Sequence, residues 1–218
     1  MFSLDSLFIR LLAALVALPV HEFAHAWMAD RLGDPTARYE GRLTLNPKAH
    51  IDPVGFFFLL FTGFGWAKPV PVNPYRLRGR YGMAWVALAG PVSHFLFVGL
   101  LMLIPPDLYL TLGELGFRLR RWMLLFAFLN LALAFFNLFP LPPLDGSRLV
   151  ESFLPRVWDR YFVPLIPYTP LLFLLVLFVL PWMGIPVLDW WIGVPTRWIL
   201  GLACRVQWWV YGASLCGF

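Results

Sequence analysis

The chain contains 218 residues, of which 60% are hydrophobic and only 13% are charged, and its mean hydropathy is +0.72. This composition excludes an ordinary soluble globular domain and indicates an integral membrane protein. The net charge of +5 does not indicate a nucleic-acid partner, because the basic residues lie in short loops between apolar segments, as membrane orientation signals do.

The first predicted element is a transmembrane helix over residues 7–28, whose 22 residues are long enough to cross the hydrocarbon core. Residues 38–46 alternate in polarity, which predicts a short membrane-associated β-hairpin or strand. The apolar segment 54–66 is too short to span the membrane. We therefore expect it to be re-entrant and to return to the side from which it entered.

Three further apolar segments, residues 83–104, 121–139 and 162–183, predict transmembrane helices. After the second of these, the chain unwinds at Pro140-Leu141-Pro142-Pro143, because consecutive prolines cannot continue a helix. The Trp-rich tail after Asp189 is either a fifth span or an interfacial helix.

These segments predict an all-α polytopic membrane protein with about four to six transmembrane helices. No connection is long enough to hold a separate soluble domain. The chain is therefore interpreted as one domain over residues 1–218, with a core at residues 7–155 and C-terminal helices at residues 160–218.

The positions of lysine and arginine predict which face of the membrane each loop occupies. If residues 54–66 are re-entrant, eleven basic residues fall on one face and four on the other, which makes the first face cytoplasmic. His25 and Asp145 lie near that face. The eleven are Arg31, Arg38, Arg42, Lys48, Lys68, Arg76, Arg78, Arg80, Arg148, Arg156 and Arg160, and the four are Arg10, Arg118, Arg120 and Arg121.

The most informative motif is His21-Glu22-Phe23-Ala24-His25, which lies inside the first predicted span. Residues four apart lie on nearly the same face of a helix, so the imidazoles of His21 and His25 can bind one cation. Glu22, about 100° round the helix, can take a proton from an attacking water. Ionisable side chains are costly in an apolar span and usually have a function there. The motif therefore predicts a zinc hydrolase site within the membrane.

A catalytic zinc site needs a third protein ligand, and the two cysteines of the chain are too few for a thiolate site. Asp145 is favoured because the prolines before it expose the backbone and Gly146 permits a tight turn. Two neutral imidazoles and one carboxylate would leave a net charge of about +1, which costs less in lipid than a bare dication. The other candidates are His50, His94 and Asp189.

Six motifs occur in order along residues 7–155: His21-Glu22-Phe23-Ala24-His25, Gly41-Arg42-Leu43-Thr44-Leu45-Asn46-Pro47, His50-Ile51-Asp52-Pro53-Val54-Gly55, Gly65-Trp66-Ala67-Lys68-Pro69-Val70-Pro71-Val72-Asn73, Ala89-Gly90-Pro91 and Asn137-Leu138-Phe139-Pro140-Leu141-Pro142-Pro143-Leu144-Asp145-Gly146. In this order they resemble the site-2 protease family of intramembrane zinc metalloproteases. The similarity is to its compact prokaryotic branch, which lacks PDZ and CBS domains.

The resemblance implies that His21, His25 and Asp145 bind one zinc ion per chain. It also implies that Glu22 acts as the general base and then as the proton donor. His50 matches a histidine of the compact branch that would be a further ligand, a gate or a support for the ligands. An interfacial histidine that orients its loop is an equally good interpretation of His50.

Three further polar residues are candidates for binding substrate or for supporting the metal ligands. Asn137 matches a family asparagine that can hold the substrate backbone or the oxyanion, with a helix–helix hydrogen bond as the alternative. Asn46 lies at the end of the predicted strand. His94 is a departure, because the family often has asparagine at this position. Either His94 takes over that polar role or the role is dispensable.

The resemblance implies a multi-pass enzyme of a prokaryotic cell membrane that hydrolyses peptide bonds within or near transmembrane segments, as in regulated intramembrane proteolysis. Its partners would be a transmembrane substrate and the lipid bilayer, without nucleic acid and with homo-oligomerisation left open. The substrate helix must unwind, and the predicted strand near Leu43 and Leu45 could hold it extended. The alternatives are a non-catalytic zinc-binding membrane protein, against which an intact Glu22 argues, and a transporter.

Overall fold

The computed structural model describes residues 4–212 and Cys216, and most of that length is helical. Four of its helices are long and apolar enough to cross a membrane: Leu4–Arg31, Gly82–Met102, Gly113–Asn137 and Pro155–Trp182. This agrees with the predicted helical membrane protein. The main helices are α1 (Leu4–Arg31), α2 (Pro53–Thr62), α3 (Gly82–Met102), α4 (Gly113–Asn137), α5 (Asp145–Phe153), α6 (Pro155–Trp182) and α7 (Val194–Tyr211).

Short helical turns lie in the connections, and π-helical turns interrupt the long helices. The short turns are Thr36–Tyr39, Pro47–His50, Pro74–Arg76 and Asp107–Thr111. The π-helical turns are Ala13–Ala17 in α1, Trp158–Phe162 and Leu175–Val179 in α6, and Asp189–Gly193 before α7, and α6 also contains the 3-10 stretch Val163–Tyr168.

The predicted spans are present, with boundaries that differ by up to eight residues. α4 begins at Gly113, whereas the sequence predicts a start at residue 121. α6 begins at Pro155 rather than at residue 162. The arginines in these first turns lower the local hydropathy but do not interrupt the backbone hydrogen bonds, so the helices extend beyond their apolar parts.

The centre of the fold is the packing of α1 against α3 and of α3 against α4. Small buried side chains line the two helices of the first contact, including Ala26 and Ala29 of α1 and Ala84 and Ala87 of α3. Small residues let helix backbones approach closely in a membrane protein. α5 also packs against α3, which brings the segment after α4 back toward the contact of α1 with α3.

α2 and the chain that follows it form a hairpin that begins and ends at the same place. Gly63 ends α2 with a φ of 83°, a left-handed conformation that suits glycine. The chain then returns beside α2, and Ala67 pairs with Ile51 in the one β-bridge of the described residues. Toward the far end of the hairpin, Arg10 Nη1 donates a hydrogen bond of 2.6 Å to Leu60 O.

Residues 38–46 do not form the predicted hairpin or strand, and that prediction is wrong. A helical turn at Thr36–Tyr39 occupies the start of the segment, and Gly41 then turns the chain with a φ of 66°. The Arg42 side chain is only 5% exposed, because its guanidinium donates to the backbone carbonyls of Lys68 and Pro69. Arg42 thus faces inward because it contacts a distant segment of the chain. The alternation of polar and apolar residues is therefore not evidence of a strand.

The tail after Asp189 forms a helix that follows the bundle over its length. Near its start, Trp191 Nε1 donates a hydrogen bond of 2.9 Å to Phe135 O, in the last turn of α4. At its end, the Tyr211 hydroxyl donates over 3.0 Å to Leu103 O, directly after α3. The tail therefore reaches from the C-terminal end of α4 to the C-terminal end of α3.

Candidate metal centre

Three metal-ligating side chains from two distant parts of the sequence meet between α1 and α5. His21 and His25 lie one turn apart on α1, and their Nε2 atoms are 3.0 Å apart. Asp145, which follows His25 by 120 residues, begins α5. Its Oδ2 atom lies 3.4 Å from His21 Nε2 and 3.3 Å from His25 Nε2. The fold thus brings together the three residues that the sequence predicts as a metal site.

The spacing of these atoms suits a tetrahedral zinc ion. Zinc binds imidazole nitrogen and carboxylate oxygen at about 2.0–2.1 Å, so two ligands of a tetrahedral site lie about 3.3 Å apart. The three separations in the structure are 3.0, 3.3 and 3.4 Å. Asp145 Oδ2 is buried and has no hydrogen-bond partner. This carboxylate oxygen and two imidazole nitrogens form the kind of donor set that binds zinc.

The charge state of Asp145 also suits a metal ligand. Burial opposes ionisation of the carboxyl, but the adjacent imidazoles of His25 and His21 outweigh it and hold the pKa of Asp145 well below its usual range. The side chain is therefore a carboxylate at neutral pH. A carboxylate is the form of aspartate that binds a metal.

A backbone carbonyl orients one of the two histidines. His25 Nδ1 lies 2.7 Å from Val86 O, a carbonyl that can only accept, so Nδ1 carries the hydrogen. In the neutral ring this leaves a lone pair on Nε2, the atom that faces His21 and Asp145. His21 Nδ1, by contrast, is buried without a hydrogen-bond partner.

Gly90 allows α3 to pack directly on the two histidine rings. A Cβ atom built at Gly90 would lie 2.5 Å from His21 Cε1 and 2.6 Å from His25 Cε1, which is too close for any side chain. The glycine of the Ala89-Gly90-Pro91 motif is thus required by the site itself. α3 closes the site on the side that Gly90 faces.

Gly146 has a similar steric role beside Asp145. The sequence predicts that Gly146 permits a tight turn, but the φ of Gly146 is not among the positive values. A Cβ atom built there would lie 2.6 Å from Phe139 O at the end of α4. Glycine is therefore needed because α5 begins very close to the backbone that ends α4, and this approach brings Asp145 to the histidines.

Glu22, the predicted base, is held by a backbone amide. The residue is 8% exposed, and its Oε2 accepts a hydrogen bond of 3.0 Å from the N–H of Val70. The neighbours Pro69 and Pro71 have no N–H, so Val70 supplies the donor at this point of the chain. This contact fixes one carboxylate oxygen of Glu22.

The segment that carries Val70, residues 67–73, has no regular secondary structure beyond the β-bridge at Ala67, and hydrogen bonds hold it at both ends. At its start, Lys68 N donates to His50 O over 2.7 Å, and Arg42 holds the carbonyls of Lys68 and Pro69. At its end, Asn73 N donates over 2.6 Å to the buried carboxylate of Asp34. These contacts place the Val70 amide over Glu22.

Two predicted residues of the loop after α1 make contacts within that loop. His50 is buried, and its Nε2 lies 2.7 Å from Thr44 O. Asn46 caps the turn at Pro47–His50, since its Oδ1 accepts from Lys48 N over 3.1 Å. His50 is not in the group of converging ligand atoms of the described residues. The role of His50 stays a prediction.

Asn137 and Asp189 make other contacts, and Asp189 is not in the cluster of ligand atoms in the described chain. Asn137 Nδ2 donates over 2.9 Å to Leu133 O, one turn earlier in α4. Asp189 forms an exposed ion pair with Arg197, and that guanidinium lowers the pKa of the Asp189 carboxyl. Its charge is thus satisfied outside the site.

His94 is at the site, together with a residue that the sequence analysis missed. The His94 and His21 rings have their centroids 5.0 Å apart, and His94 Nδ1 lies 2.9 Å from Asn130 Oδ1 in α4. Asn130 is fully buried. A polar side chain in the middle of an apolar span was the available signal for Asn130, because such residues usually have a partner or a function.

The comparisons with known proteins agree with this geometry. The model of peptidase family M50 matches residues 114–177, which include Asp145. The chain is 42% identical to YwhC of Bacillus subtilis over 146 residues, which are 65% of this chain and 67% of YwhC. It is 30% identical to Rip2 of Mycobacterium tuberculosis over 194 residues, 87% of this chain and 71% of Rip2. Both relatives are named as zinc metalloproteases.

The chain belongs to peptidase family M50, the site-2 protease family. A third relative, MJ0611 of Methanocaldococcus jannaschii, is 29% identical over 77% of this chain and 81% of its own, and it too is named as a zinc metalloprotease. No solved structure gives a significant match. As a member of family M50, the protein is a zinc metalloprotease, and its four long apolar helices indicate a multi-pass membrane protein.

Proposed function

We propose that this family M50 protein cleaves peptide bonds within or beside transmembrane segments of other membrane proteins. In this proposal His21, His25 and Asp145 bind one zinc ion, and Glu22 is the general base. The observation that carries it is the convergence of three ligand atoms within 4.8 Å of one another, on a long apolar helix that also bears Glu22.

The chemistry is divided between the ion and Glu22. When bound, zinc supplies Lewis-acid polarisation of the scissile carbonyl and acidifies water. Glu22 accepts the proton of the attacking water at its carboxylate and then donates that proton to the leaving amine. The Val70 amide occupies Oε2 of Glu22, which leaves Oε1 for the proton. The hydrogen bond to Val86 O fixes the tautomer of His25 and so keeps its Nε2 available to the metal.

The depth of the site supports cleavage inside the membrane. His25 lies six residues before the end of α1, which is about 9 Å at the helical rise. We propose that the hairpin of α2 is the re-entrant segment, because it leaves from Ile51 and returns to Ala67 beside it. Its exposed aromatic side chains suit contact with lipid. They are Phe57, Phe58, Phe61, Phe64 and Trp66.

The orientation of the site follows from the basic residues, most of which lie in the loops at its end of the bundle. On the positive-inside rule, this end faces the cytoplasm of a prokaryotic cell.

A substrate helix must unwind at the cleavage point, because a helix hides its amides in its own hydrogen bonds. The predicted strand at Leu43 and Leu45 is absent, and the segment 67–73 lies beside Glu22 instead. We propose that the substrate lies extended near this segment.

The test uses the purified full-length protein, a single-span membrane protein as substrate, and zinc measured by mass spectrometry. We expect one zinc ion per chain, chelator-sensitive cleavage, and loss of cleavage in Glu22→Gln with zinc retained, because the amide cannot accept the proton. His21→Ala and Asp145→Ala should lose zinc as well as activity.

Glu40→Gln is the matched control, since Glu40 is exposed and lies outside the cluster of ligand atoms. Undiminished cleavage by Glu22→Gln would refute the assignment of the base. Stoichiometric zinc without any turnover would favour the non-catalytic zinc-binding protein.

A further inference from the structure

The interior of α3 and α4 contains a pair of buried polar side chains that the catalytic proposal does not use. His94 is 1% exposed and Asn130 is 0% exposed, and the two are hydrogen-bonded to each other. Polar side chains buried in apolar spans carry a desolvation cost, which a leucine at either position would avoid. The pair also lies against a metal ligand, since the ring centroids of His94 and His21 are 5.0 Å apart.

The hydrogen bonds of Asn130 determine the tautomer of His94. Asn130 Nδ2 donates over 2.8 Å to Phe126 O, so its Oδ1 is the atom that faces His94 Nδ1. An amide oxygen can only accept, and therefore His94 Nδ1 carries the hydrogen. In the neutral ring this leaves His94 Nε2 as a lone-pair acceptor. That atom is buried and has no partner.

His21 needs a hydrogen-bond acceptor for its Nδ1 atom when it binds a metal. When Nε2 of a histidine binds a metal, its Nδ1 carries a hydrogen, which in metal sites is nearly always donated to an acceptor. His25 donates its hydrogen to Val86 O, whereas His21 Nδ1 is buried without a partner. An unpartnered donor and an unpartnered acceptor thus lie on two adjacent rings. In this structure the two atoms are not hydrogen-bonded to each other, but the centroids of the two rings are only 5.0 Å apart.

We propose that His94 is a positioning residue, oriented by Asn130, and that its Nε2 accepts the Nδ1–H of His21 once a metal binds Nε2 of His21. This hydrogen bond would hold His21 as a metal ligand. The inference rests on the proposed ligand set. It gives each metal-binding histidine its own acceptor, a backbone carbonyl for His25 and the His94 ring for His21. It also gives a role to Asn130, which would fix the His94 tautomer from the neighbouring helix.

Two substitutions separate this role from a structural one. Glutamine places an amide oxygen near the position of the histidine Nε2, so His94→Gln keeps the acceptor for His21 and gives up the donor to Asn130. Asparagine places its amide near the position of Nδ1, so His94→Asn keeps the contact with Asn130 and gives up the acceptor. His94→Leu removes both contacts.

The measurement is the zinc affinity of each purified variant, determined by competition with a chromophoric chelator, with thermal unfolding as the check of folding. Loss of a partner that supports a metal ligand typically lowers metal affinity about 10- to 100-fold. We expect this loss in His94→Asn and His94→Leu, and an affinity close to that of the parent in His94→Gln. Thr196→Val is the control, because Thr196 is equally buried but lies on α7.

The opposite order would overturn the proposal: parent-like zinc affinity in His94→Asn together with loss in His94→Gln means that the histidine only joins α3 to α4. Parent-like affinity in all three variants also overturns it. Failure of the proposed ligand set looks different, since the parent protein itself would then bind zinc independently of His21 and Asp145. If His94→Leu does not fold, the comparison of glutamine with asparagine decides the outcome.

Discussion

At the scale of single residues, close packing around the two α1 histidines leaves no room for change. Gly90 lies against both rings, and the same helix contains Gly99, around which a Cβ atom would meet nothing within 4 Å. The two glycines therefore differ in what surrounds them and not in their place in the helix. This contrast separates the steric need of the site from the general effect of glycine on a helix.

We predict that Gly90→Ala weakens zinc binding about 10-fold or more, because overpacking typically costs about 1–3 kcal/mol and the added methyl group must displace the rings. Gly99→Ala should bind zinc like the parent protein, with equal or slightly higher stability. Zinc affinity by chelator competition checks both. Equal affinities in the two variants would show that Gly90 does not set the position of the histidines.

At the scale of elements, the position of the base depends on a segment without regular structure. Residues 67–73 are held by Arg42 and His50 at one end and by Asp34 at the other. Asp34 is fully buried, and it accepts from Thr36 N over 3.1 Å as well as from Asn73 N. One carboxylate thus joins the turn after α1 to the segment whose Val70 amide binds Glu22.

Asp34→Ala should lower kcat while leaving the zinc content unchanged, because it frees the end of the segment without touching a metal ligand. It leaves the partly buried N–H of Asn73 without this partner, which costs up to about 1–3 kcal/mol of stability. Asp34→Asn, which retains an acceptor oxygen, should restore part of the activity. Asp107→Ala is the control at an exposed aspartate far along the chain. Loss of zinc in Asp34→Ala would contradict this account.

At the scale of the whole molecule, the proposed metal centre connects parts of the chain that are otherwise joined only through packing. His25 and Asp145 are 120 residues apart, and α1 and α5 both pack against α3. An ion that binds both α1 and α5 binds the folded state and not the unfolded chain. Its binding free energy therefore contributes to stability.

Zinc should raise the Tm of the purified protein. At a free zinc concentration of 100 times Kd, a single site contributes about 2.7 kcal/mol to the free energy of unfolding. We expect Asp145→Asn to lose most of this increase and Asp107→Asn to retain it. The check is thermal unfolding with and without zinc. A full increase in Asp145→Asn would mean that the stabilising site lies elsewhere.

The C-terminal helix predicts a second property of the whole molecule. The tail begins beside the C-terminal end of α4. It ends beside Leu103, which follows the C-terminal end of α3. Tyr81 lies at the opposite, N-terminal end of α3. Near the C-terminal end of α3, Cys204 forms a disulfide with Cys216, a bond that persists in oxidising compartments outside the cytoplasm.

A reporter fused after residue 212 should therefore lie on the side of the membrane opposite the metal centre. A reporter inserted at Gly79, an exposed position in the loop before α3, marks the other side. The two fusions should give opposite signals in a topology assay. Identical signals would contradict the arrangement of the tail.

The sequence alone determined the parts of this protein that depend on local periodicity. The spacing of four residues from His21 to His25 puts both rings on one face of a helix, whatever the rest of the chain does. Apolar length was sufficient to predict the long helices, although it misplaced the start of α4, because arginines in the first turns do not break a helix. The Ala-Gly-Pro and Leu-Asp-Gly motifs indicated Gly90, Asp145 and Gly146. They did not show the close contacts that require glycine at Gly90 and Gly146.

Only the tertiary structure decided the contacts between segments that are far apart in sequence. The alternation around Arg42 predicted a strand, but its guanidinium is buried because it binds carbonyls of the segment 67–73. The amide of Val70 on Glu22 and the pairing of His94 with Asn130 have no local sequence pattern. The spacing that puts residues on one face of a helix is set by the backbone of that helix alone. The partner of a buried polar atom instead depends on how separate helices pack.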